Sequence, residues 1–171
     1  MKAAIFPNFQ KKNALECARN LCDILNDCDI EVYVDNTFIN EFEDKAFVKY
    51  GLFDEFVREA DFAMAIGGDG TILKCAKHIV ETNTKLLGIN TGRLGFMSAL
   101  ESGQLDQIAN IKSGKYNVSE RMMINVRIDS NGSIYELEAL NDVSVSAAYS
   151  KICDFNIYVQ FFQPIKFLFT A

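Results

Sequence analysis

The chain has 171 residues and a net charge of −6 at pH 7, with 49% hydrophobic and 23% charged residues. This balance is typical of a globular protein and excludes a disordered or fibrous one. The isoelectric point, near 4.8, argues against a nucleic-acid partner bound through bulk positive charge.

Strand and helix patterns alternate over the first ninety residues. Apolar runs predict strands at 3–6, 31–34, 62–66 and 86–89. Apolar residues at helical spacing predict helices at 13–26 and 72–80. Residues 37–59 are charged and irregular, with helical stretches predicted within 46–57. The alternation predicts an α/β fold, a Rossmann-like parallel sheet with right-handed crossovers.

The pattern changes near residue 115. Residues 103–112 still have helical spacing, but the later apolar runs predict strands at 124–128, 133–138, 143–145 and 155–159. Ser130-Asn131-Gly132 predicts a tight turn between the first two of these strands. We therefore predict an α/β domain over 1–115 and a β-rich region over 116–171.

The Gly67-Gly68-Asp69-Gly70-Thr71 segment is the strongest local signal for chemistry, since it joins a buried strand to a helix. Ligands bind at this position in open α/β sheets, and glycines at a helix start let phosphate oxygens approach the backbone. A carboxylate there would repel phosphate unless it accepts a proton from an attacking hydroxyl or holds a magnesium ion. The structural alternative is that Asp69 caps the following helix.

A second loop, Gly88 to Met97, follows the next buried strand. Asn90 belongs to a shaped loop beside the first one, Arg93 is suited to phosphate, and Phe96 is suited to packing on a base or ribose. The alternative is a plain turn with Arg93 in solvent and Phe96 in the core.

Four further polar residues carry weaker signals. The adjacent amide and carboxylate of Asn141 and Asp142 can bond ribose hydroxyls or a base edge, although Asn-Asp is also a common turn. Lys74 lies five residues past Asp69 and is placed to reach a phosphate, with a solvated lysine as the default. His78 is the one histidine, so no metal site of side chains is predicted.

Taken in order, these motifs resemble the NAD kinase family. The resemblance lies in Gly67–Thr71, Gly88–Phe96, Arg121–Ile124 and Asn141–Val143. The first motif is shared with diacylglycerol and sphingosine kinases, whereas the second and fourth single out NAD kinases. The resemblance implies phosphorylation of the adenosine ribose 2′-hydroxyl of NAD by ATP, with magnesium bridging the ATP phosphates and Asp69 as the general base.

The resemblance also bears on the binding residues and the assembly. With the residue patterns, it assigns cofactor binding to Gly67, Gly68, Asp69, Gly70, Lys74, Asn90, Arg93, Phe96, Asn141, Asp142 and Lys151. Its implied partners are the small molecules NAD and ATP, and it implies a homo-oligomer in the full-length form. The alternatives are an inactive nucleotide-binding remnant and a lipid kinase that shares the first motif.

The chain departs from the family pattern at its end. Family members continue into a β-rich domain with its own Gly-Asp-Gly segment and a Thr-Pro-Thr-Gly-Ser-Thr-Ala-Tyr segment, and neither occurs after residue 116 of this chain. The match fails after about Val159, and residues 160–171 contain four phenylalanines, so we expect an aberrant, exposed tail. We also expect a truncated chain with little or no kinase activity.

The remaining sequence features concern the cellular location. No run of about 18 apolar residues, the length that spans a bilayer, occurs, so no membrane partner is predicted. Residues 1–10 lack the pattern of a secretory signal. The five cysteines match no metal or redox spacing, so we expect free, mostly buried thiols and a cytoplasmic protein.

Overall fold

The computed structural model describes residues 1–92, 95–130, 132–144 and 165–170. Its strands are β1 (Lys2–Pro7), β2 (Glu31–Asp35), β3 (Lys49–Gly51), β4 (Phe62–Gly67), β5 (Lys85–Asn90), β6 (Leu100–Glu101), β7 (Tyr116–Arg121), β8 (Ile124–Ser130), β9 (Ser133–Ala139) and β10 (Ile165–Thr170). Eight of them form one sheet in the order β3-β2-β1-β4-β5-β10-β7, with β6 paired to β5. Every pairing in this sheet is parallel except that of β10 with β7. The α/β prediction with a mostly parallel sheet is therefore confirmed.

The helices lie between these strands. They are α1 (Ala14–Asp27), α2 (Phe53–Phe56), α3 (Asp69–His78) and α4 (Ala109–Lys112). Short 3₁₀ segments span Asn36–Glu41, Val57–Glu59 and Ser102–Ile108. Among the described residues, no helix has both the length and the apolar character needed to cross a membrane.

One predicted element is partly wrong. Residues 46–57 were expected to contain helix, but Lys49–Gly51 forms strand β3 and helix begins only at Phe53. The strand pairs in parallel with β2, with Tyr50 opposite Val34. Charged residues around this strand hide any apolar pattern in the sequence. The strand exists because it forms hydrogen bonds with β2, about fifteen residues away, and such a distant pairing leaves no signal in the local periodicity.

The hydrophobic core lies on both faces of the sheet, and alternate residues of β4 contribute to the two faces. Phe62, Met64 and Ile66 face one buried cluster with α1, while Ala63 and Ala65 face a second cluster with α3. All six residues of β4 are buried. Alanines on the α3 side leave room for that helix to approach the sheet closely, which brings its first turn to the carboxyl end of β4.

The cysteine prediction is confirmed for the described residues. Cys17, Cys22 and Cys75 are buried, Cys28 is partly buried, and all four are free thiols. Burial raises the pKa of Cys17 to about 11 and that of Cys22 to about 12. These thiols therefore serve as small apolar core residues. Cys153 lies outside the described residues.

The expectation of an exposed tail is wrong for residues 165–170. They form β10, which lies between β5 and β7 in the main sheet, with Phe167 opposite Leu86. Phe167 and Leu168 are 2% and 0% exposed. The physical reason is that the apolar run meets two strands with free edges, so burial in the sheet removes its side chains from water.

The region after residue 115 contains two kinds of strand. β7 joins the main sheet, while β8 and β9 form a separate antiparallel hairpin from Ile124 opposite Ala139 to Ser130 opposite Ser133. The predicted hairpin is thus confirmed. Residues 143 and 144 are not in a strand, and residues 145 and 155–159 lie outside the described part. The division into two domains at residue 115 stays a prediction.

Candidate functional site

The two glycine-containing loops lie side by side at the carboxyl edge of the sheet. β4 and β5 are parallel neighbours, with Gly67 opposite Asn90. The backbone N–H of Thr91 donates to the carbonyl of Gly67 at 3.2 Å, which joins the two loops directly. This edge is where open α/β sheets bind ligands, because loops from adjacent strands meet there.

The first turn of α3 presents backbone donors at this edge. Thr71 and Ile72 donate to the carbonyl of Gly68 at 2.8 and 3.2 Å and begin the hydrogen bonding of the helix. The N–H groups of Asp69 and Gly70 precede these bonds and have no acceptor within the helix. Together with the positive end of the helix dipole, they form a place suited to an anion.

The three glycines of the first motif have different surroundings. A Cβ on Gly67 would lie 2.3 Å from the Thr71 hydroxyl oxygen, so the fold itself requires glycine there. At Gly68 and Gly70 an added Cβ would meet no atom within 4 Å. The protein alone therefore does not explain glycine at these two positions, whereas a ligand approaching the backbone would.

Asp69 is the first residue of α3, and its carboxylate is bonded to the second loop. It accepts hydrogen bonds from the backbone N–H of Phe96 at 3.0 Å and of Met97 at 3.2 Å. The N-cap position belongs to Gly68, so the interpretation of Asp69 as a helix cap is wrong. A Cβ on Gly95 would lie 2.2 Å from an Asp69 carboxylate oxygen, so a side chain at this position would displace the carboxylate.

A hydrogen bond within the second loop holds its conformation, and one aromatic ring of the loop is exposed. The Asn90 side chain is buried, and its oxygen accepts the Gly92 N–H at 3.1 Å. Phe96 is 100% exposed, so the alternative that placed it in the core is wrong. Arg93 lies outside the described residues. Binding roles for Asn90 and Phe96 stay predictions.

The remaining predicted residues lie on the surface or outside the described part. Lys74 is exposed on α3 and forms no ion pair with a described residue. Asn141 and Asp142 are exposed just after β9, and the Asn141 amide donates to the Asp142 carboxylate at 3.3 Å. Lys151 lies outside the described residues, so its role stays a prediction.

Packing brings the three motif segments to one side of the sheet. Ile72 of α3 is fully buried in the cluster that also contains Met123 and Phe167. Met97, next to Phe96, and Leu140, next to Asn141, pack against that same cluster. Residues close in sequence to Asp69, Phe96 and Asn141 therefore pack against the same hydrophobic cluster.

Sequence reasoning missed Asn8, which supports the first motif. Its side-chain amide donates to the Thr71 hydroxyl oxygen at 3.3 Å, while its backbone N–H donates to the Ile66 carbonyl at 2.9 Å. Asn8 directly follows β1, the strand beside β4. The signal that would have found it is its place at the carboxyl end of a central strand.

Within the described residues, no group of three acidic, histidine or cysteine side chains is arranged to hold a metal ion. Asp69 is the one carboxylate in the first motif. Magnesium in phosphate-transfer sites is held largely by substrate phosphates and water, with one or two carboxylates. The single carboxylate of Asp69 matches the small number of protein carboxylates that such a site uses.

The family model described as the ATP-NAD kinase N-terminal domain matches residues 3–114, which include both loops and all of α3. This chain belongs to that family. The match covers the carboxyl edge where Asp69, Phe96 and Met97 meet, so the geometry above is that of an ATP-NAD kinase N-terminal domain.

Several relatives bear the name NAD kinase. Those from Clostridium beijerinckii and Christiangramia forsetii are 31% and 30% identical over 77% and 85% of this chain. That from Caldanaerobacter subterraneus is 29% identical over 92%. The chain spans about half the length of these relatives, namely 50, 52 and 56%. A crystal structure of an NAD kinase from Archaeoglobus fulgidus in complex with ATP is 20% identical, with a TM-score of 0.44 over 71% of this chain and 41% of that one.

Proposed function

We propose that this chain is the nucleotide-binding part of an NAD kinase, which transfers the terminal phosphoryl group of ATP to the adenosine ribose 2′-hydroxyl of NAD and produces NADP. One observation carries the proposal within the family. A single carboxylate, Asp69, lies between two glycines with open space beside their backbone, at the start of α3. That arrangement supplies a phosphate site and a proton acceptor next to each other.

Asp69 is the general base of this reaction. The 2′-hydroxyl proton moves to the Asp69 carboxylate, the hydroxyl oxygen bonds to the γ-phosphorus, and the bond to the bridging oxygen breaks so that ADP leaves. A carboxylate has about four acceptor sites, and the N–H groups of Phe96 and Met97 occupy two of them. The carboxylate therefore keeps the capacity to accept the proton.

The backbone around Gly68 and Gly70 binds the ATP phosphates. The N–H groups of Asp69 and Gly70 and the dipole of α3 stabilise their negative charge. Magnesium enters as part of the Mg·ATP substrate and neutralises charge on the phosphates. Lys74, one and a half turns along α3, adds a positive charge to the same region.

The NAD side of the site is assigned to the second loop and to Asn141 and Asp142. The fully exposed Phe96 ring offers a flat apolar surface to a base. The adjacent amide and carboxylate of Asn141 and Asp142 offer donors and acceptors to ribose hydroxyls. Arg93 and Lys151 complete the proposed basic contacts.

A coupled assay for NADP formation from NAD, ATP and magnesium tests this function. The samples are this chain and an extended chain in which the remaining half of the Clostridium beijerinckii relative follows residue 159. We expect NADP from the extended chain and little or none from the 171-residue chain. No NADP from either sample would overturn the proposal. ATP binding alone would then favour a nucleotide-binding remnant, and phosphorylation of diacylglycerol a lipid kinase.

The role of Asp69 has its own test in the extended chain. Asp69→Asn removes the proton acceptor and is expected to lower turnover at least about a hundredfold, with ATP binding largely retained. An equal loss of ATP binding would make Asp69 a ligand rather than a base. A homo-oligomeric full-length form and a cytoplasmic location belong to the same proposal.

A further inference from the structure

The Asp69 carboxylate makes contacts that proton abstraction does not require. Its carboxylate accepts two hydrogen bonds from backbone N–H groups of the other loop, at Phe96 and Met97, 27 and 28 residues further along the chain. A general base needs access to a substrate hydroxyl, and it does not need to hold a distant loop. The two bonds join the first turn of α3 to the segment that carries the exposed ring of Phe96.

The loop is built to make this contact. Gly95 passes so close to Asp69 that an added Cβ would lie 2.2 Å from one carboxylate oxygen and 2.9 Å from the carboxyl carbon. Gly92 in the same loop has no atom within 4 Å of such a Cβ. Glycine at 95 is thus explained by the side chain of Asp69, and glycine at 92 is not.

The Phe96 side chain has no support of its own. Its ring is 100% exposed, while the neighbouring Met97 is only partly buried against the cluster around α3. An exposed side chain gains no packing energy that would fix its position. Within the described part of the chain, the backbone N–H groups of Phe96 and Met97 both donate to the Asp69 carboxylate.

We propose that Asp69 is also a positioning residue, whose carboxylate holds the backbone of residues 95–97 so that the Phe96 ring stays beside the phosphate-binding turn. The inference rests on the proposed function for its purpose. Substitution of Asp69 then has two effects, the loss of a base and the release of the loop that presents the ring. Gly95, which contacts no substrate in this scheme, matters because it admits the contact.

The test uses the 171-residue chain without nucleotide. Amide hydrogen exchange at Phe96 and Met97 is compared among the unsubstituted chain, Gly95→Ala, Gly92→Ala, Asp69→Asn and Asp69→Ala. Exchange at these two amides is expected to rise about tenfold in Gly95→Ala, since one lost hydrogen bond changes an opening equilibrium by about that factor. Gly92→Ala is the matched control and should leave exchange unchanged.

The Asp69 variants add a graded response. Asn keeps one acceptor oxygen, so Asp69→Asn should retain part of the protection that Asp69→Ala loses. A second readout uses Phe96→Trp, which introduces the sole tryptophan of the chain. Its fluorescence anisotropy should fall when Gly95→Ala or Asp69→Ala is added and stay constant with Gly92→Ala. The urea midpoint and exchange within β4 should not move, which separates local release from unfolding.

Unchanged exchange and anisotropy in both Gly95→Ala and Asp69→Ala would overturn the inference. Equal effects of Gly92→Ala and Gly95→Ala would also overturn it, because any change in the loop would then suffice. These measurements need neither nucleotide nor turnover. A failure of the extended chain to form NADP therefore refutes the proposed function but not the positioning role of Asp69. Unchanged exchange and anisotropy refute the positioning role but not the proposed function.

Discussion

Two regions of this molecule form strands in very different surroundings. In β4 every side chain is buried between α1 on one face and α3 on the other. In the β8–β9 hairpin the apolar side chains of one face remain exposed, with Ile128 at 42%, Tyr135 at 56% and Leu137 at 56%. The comparison teaches that a continuous apolar run marks a strand covered on both faces, whereas the apolar face of an alternating strand is buried only where another element reaches it.

The largest expected contrast comes from truncating matched leucines in the two regions. Leu87 in β5 is 0% exposed and Leu137 in β9 is 56% exposed. Leu87→Ala should lower the free energy of unfolding by about 2–5 kcal/mol, because it removes buried methyl groups and leaves a cavity. Leu137→Ala should lower it by less than about 1 kcal/mol. Urea denaturation followed by circular dichroism measures both, and equal losses would contradict the contrast.

Hydrogen exchange should show the same contrast without substitution. Amides of β4 and β5 are expected to exchange at least about a hundredfold more slowly than those of β8 and β9, which lack a packed face. β7 should be more protected than the hairpin, because β10 pairs with all six of its residues. Protection across residues 124–139 as strong as in β4 would show that the hairpin has a partner in solution.

A smaller effect distinguishes a glycine that the fold requires from one that ligand binding requires. Gly67→Ala should destabilise the fold by about 1–3 kcal/mol, because its Cβ would overlap the Thr71 hydroxyl. Gly68→Ala is the matched control and should change stability by less than about 0.5 kcal/mol, yet weaken Mg·ATP binding. A large stability loss in Gly68→Ala would mean that the fold also requires this glycine.

The smallest effect is the response of each region to acid. Burial raises the pKa of Asp35 at the end of β2, but hydrogen bonds from Thr37 and Phe53 outweigh it, so the pKa is lowered overall. The stability from Asp35 is therefore present above its unfolded-state pKa and is lost as pH falls through the folded-state value. Glu138 of β9 is exposed overall, and slight removal of its carboxyl group from water, followed by the charge of Glu81, raises its pKa. The stability linked to the protonated Glu138 carboxyl is present at low pH and is lost as the pH rises through its raised folded-state pKa.

The comparison of Asp35→Ala and Glu138→Gln measures these opposite signs. Between pH 6 and pH 3, the stability difference between the unsubstituted chain and Asp35→Ala should shrink as the Asp35 contribution is lost. Over the same interval, any advantage of Glu138→Gln should also shrink, because acid neutralises the native Glu138. Urea midpoints at several pH values give both curves, and a difference that grows toward pH 3 in either variant would contradict the assignment.

The sequence predicted much of the first region because its signals are local. Five apolar residues at 62–66 need burial on both faces, and the spacing of Leu21, Cys22 and Leu25 suits one face of a helix. The failures lie where structure depends on distant partners. β3 exists through its pairing with β2, and Phe167 is buried because β5 and β7 both leave an edge for β10.

The candidate site divides in the same way. Sequence alone determined that Asp69 and its flanking glycines lie at a strand-to-helix junction, because that position follows from residue order and backbone freedom. It also determined that a second polar loop follows the next strand. Only the tertiary structure decided that the Asp69 carboxylate bonds Phe96 and Met97, and that Asn8 supports Thr71. These contacts join segments that are far apart in sequence and meet only because parallel strands place their carboxyl ends at one edge.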